Sequence, residues 1–87
     1  MGTNEVQIFI HSYMRQVFDG ADIELGMFYD ICALQYKGLL KISCGDFKES
    51  FDILFDDYHL EKQIVDFCNQ VVRDVNLAYS DYITKEK

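Results

Sequence analysis

The chain contains no proline and only five glycines among its 87 residues. Nothing in it forces a break in a long helix, because proline is the residue that removes an intrahelical donor and clashes with the preceding turn. Cysteine is sparse as well: Cys32, Cys44 and Cys68 make neither an even set nor a CxxC pair. A disulfide framework is therefore excluded, and the three read as small buried hydrophobes. No apolar run approaches the ~18 residues of a membrane span, and no basic segment followed by an apolar one opens the chain. A cytoplasmic protein without a membrane role is expected.

Cations are the scarcest charged class. Eight Lys and Arg face 15 Asp and Glu, for a net charge of −7 and a pI near 4.5. Affinity for nucleic acid comes mainly from cations that release counterions, so direct binding of DNA or RNA is not expected. A basic partner suits the balance better. Catalytic and metal signatures are missing too. No HExxH, EF-hand or GxSxG pattern occurs, and Asp56, Asp57 and His59 do not converge on a metal, because on a helix each step along the chain turns the side chain by about 100°. His11 falls on the polar side of the first helical segment. Neither an enzyme nor a cofactor is expected.

Apolar residues make up 49% of the chain and aromatics 15%, ample for one core in a single domain spanning 1–87. The densest feature is the run DFKESFDILFDDYHLE at 46–61, which sets six carboxylates against the single Lys48 and so holds five of the seven net negative charges. Phe47, Phe51, Phe55 and Tyr58 recur through it at spacings of four, four and three. That is helical periodicity, and Asp46 with Glu49 three residues on has the spacing of a capping box. Steps of 100° from Phe47 put Phe51, Leu54, Phe55 and Tyr58 within roughly ±80°, and Glu49, Asp52 and Asp56 opposite them at about 140–200°. Ile53 falls about 240° round, beside the acids, as a candidate exposed contact.

The same reasoning predicts an all-α fold, a compact antiparallel four-helix bundle with helices at 4–19, 22–36, 46–58 and 60–83. Asn4 is the expected cap of the first helix and Gly20 its stop, with Val6, Ile10, Tyr13, Met14 and Val17 on one face. Asp22 caps the second, which carries Met27, Phe28, Ile31, Cys32 and Gln35. Residues 37–45 form a loop with one turn. The last helix, roughly 36 Å long, shows a seam through Leu60, Ile64, Phe67, Val71, Val75, Ala78 and Tyr82. Val65, Val72, Tyr79 and Ile83 flank it, and could instead join two copies of the chain as a homodimer.

Between Ile8 and Tyr58 the segments IFIHSYMRQVF, GADIELGMFYDI and LFDDY follow in an order that resembles the small helical immunity proteins of bacterial tRNase toxins, the colicin D immunity group. The likeness covers about 60% of the chain. It implies an antiparallel helix bundle that blocks the substrate site of a basic toxin nuclease domain, with Asp56, Asp57 and Tyr58 at or near the interface. The departure is that LFDDY runs almost directly into the last helix. The expectation is a non-enzymatic, acidic protein-binding module that inhibits a basic protein, such as a nuclease or another nucleic-acid enzyme. Its expected binding residues are Glu49, Asp52, Asp56, Asp57 and Glu61 for charge, with Ile53 and Tyr58 as apolar anchors. A homo-oligomeric module or a regulatory adaptor subunit is the alternative.

Overall fold

The computed structural model describes residues 2–85. Its elements follow the order α1 (Thr3–Val17), β1 (Asp22–Asp30), β2 (Gln35–Cys44), β3 (Phe47–Asp56) and α2 (Leu60–Lys85). The fold is α+β: one antiparallel sheet in the order β1-β2-β3 with two helices, not an all-α bundle. The first and last predicted helices form close to their expected limits. The predicted helices 22–36 and 46–58 and the loop 37–45 are instead the three strands.

Side-chain alternation explains the sheet. In β1, Ile23, Leu25, Met27 and Tyr29 are the more buried residues, while Asp22, Glu24, Gly26 and Phe28 are exposed. In β2, Tyr36, Leu40 and Ile42 are buried, and in β3 so are Phe47, Ile53 and Phe55. Successive residues of a strand point to opposite faces, so each set lines one side. The register is continuous: Asp22–Asp30 pairs with 43–35, and 35–44 pairs with 56–47.

Two different turns join the strands. Gly45 and Asp46 form a two-residue loop between the paired Cys44 and Phe47, with Gly45 at φ +62°. A positive φ at the first loop position is the type II′ requirement, and glycine meets it without strain. Asp46 is thus a turn residue rather than a helix cap. Between β1 and β2 stands the four-residue turn 31–34, which contains no glycine, asparagine or proline. Asp30 holds it instead: its Oδ1 accepts the amides of Cys32 (3.0 Å) and Ala33 (3.2 Å), and its Oδ2 accepts from Lys37 Nζ (2.8 Å).

Both helices cover the same face. α1 packs over β1 through Val6, Ile10 and Met14, one per turn, and α2 packs over β3 through Ile64, Cys68, Val71 and Val75. The N-cap of α1 is Gly2 rather than Asn4, and no side chain caps it. Ring contacts tie α2 along the length of β3: Phe55 meets Phe67 edge-on at 5.5 Å, and Phe47 meets Tyr79 at 5.2 Å and Tyr82 at 5.6 Å. Each helix runs antiparallel to the strand it adjoins in sequence, and β1 and β3 run the same way, so α1 and α2 are parallel. The Cα envelope measures 48 × 21 × 17 Å. Its short dimension accommodates one sheet and one helical layer about 10 Å away, which leaves the other face of the sheet open.

Of the three cysteines, only Cys68 is buried; Cys32 and Cys44 are exposed, contrary to the expectation that all three lie in the core. Burial pushes the Cys68 thiol up to about 11. His11 is half-buried rather than on the surface, with Nε2 3.3 Å from the carbonyl oxygen of Ile23.

Candidate docking surface

The open face carries Asp22, Glu24, Gly26, Phe28 and Asp30 from β1, Ser43, Lys41, Leu39, Lys37 and Gln35 from β2, and Lys48, Ser50, Asp52, Leu54 and Asp56 from β3. Read across the sheet, the register makes rows of Gly26, Leu39 and Asp52, and of Phe28, Lys37 and Leu54. Phe28, Leu39 and Leu54 form an apolar patch on this face; Phe28 and Leu54 are 58% and 59% exposed. Lys37 lies between those two, drawn toward Asp30 by the ion pair. That pairing, with the Ala33 and Cys32 amides, holds the Asp30 carboxyl below its usual range.

The patch continues off the end of the sheet. Ile31 and Leu34, in the turn beyond the Phe28 row, are 78% and 61% exposed. Leu34 also has φ +55°, a left-handed conformation that costs a side-chain-bearing residue about 1–2 kcal/mol. Sequences normally fill such a position with glycine or asparagine. Here an exposed, apolar turn is held in place by the buttressing Asp30, and strain of this kind concentrates at functional sites.

Acidic groups flank the apolar end. Asp56 ends β3, Asp57 follows it, and Glu61 opens α2. Asp57 Oδ2 accepts from Tyr29 Oη at 2.9 Å, and that hydrogen bond is the main reason the Tyr29 hydroxyl is held above its ordinary value. Burial, with the charge of Asp57, raises Tyr36 as well. Gln63 knits the β3–α2 turn. Its Oε1 accepts the Asp56 amide at 3.1 Å, while Nε2 donates to the Asp56 carboxylate at 2.8 Å and to the Tyr58 carbonyl at 2.5 Å. Tyr58 is 76% exposed, and its ring meets His59 edge-on at 4.1 Å.

The seven residues singled out from sequence therefore divide. Asp56, Asp57, Tyr58 and Glu61 gather at the hairpin end. Glu49 and Asp52 do not share a stripe, because three residues along a strand is an odd step and puts them on opposite faces. Glu49 lies on the inner side near Ala78 and Tyr82, whereas Asp52 stands outside opposite Leu39. Ile53 is 3% exposed and belongs to the core. Periodicity had missed Phe28, Ile31, Leu34, Leu39 and Leu54. The available signal was a second set of apolar residues, out of phase with the buried set by one position.

Among the described residues no three His, Cys, Asp or Glu side chains are grouped to hold a metal, and no helix is long and apolar enough to cross a membrane. No family model, curated protein or solved structure matches the chain.

Proposed function

We propose that this chain is a non-enzymatic docking module for a basic protein, engaged through the hairpin end of the sheet. The observation that carries this reading is the turn 31–34: four apolar residues exposed together, one of them in a strained conformation, beside Phe28 and Leu54 and near Asp56, Asp57 and Glu61. Contiguous exposed apolar surface rimmed by polar groups is characteristic of protein-binding sites. The carboxylates select a cationic partner and steer its approach. A net charge of −7 acts in the same direction over the whole molecule.

A nucleic-acid enzyme, with the cationic cleft its substrate requires, is the partner class that fits, and a toxin nuclease domain is the specific case. Occupying such a cleft makes the module an inhibitor, in the manner of an immunity protein. This role does not depend on the helix bundle that the resemblance implies, since the acidic and apolar groups are presented by strands and a turn. We place the protein in the cytoplasm, where its free thiols stay reduced.

The test is affinity capture from the source cells with the wild type and with Ile31→Asp/Leu34→Asp, followed by identification of what is retained and by salt titration. The expected result is a basic protein held by the wild type, released as salt rises, displaced by nucleic acid and not held by the variant. Retention that ignores both the variant and salt overturns the reading. An adaptor role predicts capture that nucleic acid does not displace.

A further inference from the structure

Two helices, each about 10 Å wide, cover about four strands spaced about 4.8 Å apart, and this sheet has three. The room for a fourth lies at β3. The two-residue turn at Gly45 and Asp46 makes Cys44 and Phe47 the closing hydrogen-bonded pair, so odd-numbered residues of β3 bond to β2 and even-numbered ones turn their amides and carbonyls outward. The Asp56 amide agrees with that phase, since it leaves the sheet and donates to Gln63. Gln63 thereby closes one end of the edge, and Tyr82 and Lys85 flank the other at Lys48. Ser50, Asp52 and Leu54 remain between them with outward backbone groups, and no proline blunts the strand. The β1 edge is less open, because His11 lies against the outward carbonyl of Ile23.

α2 supplies an acidic wall beside the β3 edge. Phe67, Asp74 and Asp81 recur every seven residues and so share one flank of the helix. Phe67 meets Phe55 at 5.5 Å, and Asp81 borders the groove that Lys48 and Glu49 form with Ala78. This flank therefore faces the β3 side, with the half-buried Asp74 between its two ends. Asp74, Asp81 and the inward Glu49 place three carboxylates along the edge. None of them forms an ion pair among the described residues, and Asp74 accepts from Gln70 at 3.0 and 3.1 Å.

We propose that an extended, cationic segment of a partner protein adds to β3 as a fourth, antiparallel strand. Its residues opposite Ser50, Asp52 and Leu54 exchange backbone hydrogen bonds with them and turn their side chains to the open face. The alternate residues point to the inner side. There Lys or Arg stems lie along Phe51 and Phe67, and their charges reach Glu49, Asp74 and Asp81. A second copy of this chain does not fit the edge, since its own α2 would collide with the first. The occupant is a bare strand with cations at every second position. This goes beyond the docking turn and stands without it, because neither the edge nor its carboxylates involve Ile31 or Leu34.

The probe is a blocked peptide of alternating threonine and arginine with threonine at both ends, compared with one that holds the same residues in two blocks. On binding, amide hydrogen exchange at Ser50, Asp52 and Leu54 should slow about tenfold or more, while Phe51 and Ile53, already bonded to β2, change little. In an antiparallel ladder the threonine amides donate to β3 and the arginine amides point away. N-methylation of the threonines should therefore abolish binding, and N-methylation of the arginines should leave it within about twofold. Asp74→Lys/Asp81→Lys should weaken binding about thirtyfold, with circular dichroism confirming that the variant is folded. Ile31→Asp/Leu34→Asp should bind the peptide as the wild type does, so failure at the docking turn and failure at the edge are separate results. Binding that tolerates threonine methylation, or that protects none of the three amides, overturns the proposal. So does equal affinity for the block peptide, and so does the absence of binding at millimolar peptide.

Discussion

Gly38 is the position where one added methyl group should do the most damage. A Cβ there would collide with the carbonyl oxygen of Gly26 and would sit 2.9 Å from Met27 Cγ and 3.0 Å from Met27 Cα. The Met27 side chain can rotate away, but two of the three contacts are with the backbone of β1, so relief requires β1 and β2 to part. Overpacking of this kind costs about 1–3 kcal/mol, and the entropy lost from the unfolded chain on replacing glycine by alanine returns about 0.4–1 kcal/mol. Gly38→Ala should therefore lose about 1–2 kcal/mol. With a urea m-value of about 1 kcal/mol/M for so small a domain, the midpoint falls by roughly 1–2 M. Gly26 supplies the control, because nothing lies within 4 Å of a Cβ built there and its φ is not positive. Gly26→Ala should raise the midpoint, gaining about 0.4–1 kcal/mol. Urea unfolding followed by circular dichroism measures both. If Gly38→Ala is as stable as the wild type, or if the two variants lose stability equally, the packing of β1 against β2 is not as described.

Further outcomes follow from the same packing. Ile53→Ala should cost about 2–5 kcal/mol in urea unfolding, as expected for a buried isoleucine and far more than for the surface anchor its helical placement implies. Leu34→Gly should stabilise the fold by up to about 1 kcal/mol while weakening capture of the basic partner, because it removes both the left-handed strain and an exposed contact. In native protein Cys32 and Cys44 should react with a thiol reagent at once and Cys68 only on unfolding. The Cys68 thiol ionises near its ordinary value of 9.0 when unfolded and only near about 11 when folded, so the unfolded state sheds its proton first and the contribution to stability fades as pH rises from 9 to 11. The stability difference between wild type and Cys68→Ala should narrow over that window and stay constant between pH 6 and 8.

The two helices were legible in the sequence because their apolar spacings fit no other period. Ile10 to Tyr13, Met14 to Val17 and Ile64 to Phe67 are steps of three, which would switch faces on a strand, so the first seam and the last make sense only at about 100° per residue. The strands were hidden by a coincidence of periods. Phe47, Phe51 and Phe55 recur every four residues, which keeps them on one face of a helix and equally on one face of a strand. Ile53 breaks the tie: on a helix it points away from the core, and on a strand it joins the other three. Its awkward helical placement was itself the signal for β3. In β1 the alternation of Ile23, Leu25, Met27 and Tyr29 was masked by Phe28, exposed on the open face, and Ile31, exposed in the turn, which complete a false helical pattern with Met27 and Cys32. Turn chemistry gave little help, since the turn 31–34 has no turn-forming residue and Gly45 with Asp46 also reads as a helix start. At the candidate site, Asp56, Asp57, Tyr58 and Glu61 could be grouped from sequence because they are near neighbours in the chain. The apolar half of the surface comes from three strands and a turn, and only the register brings it together.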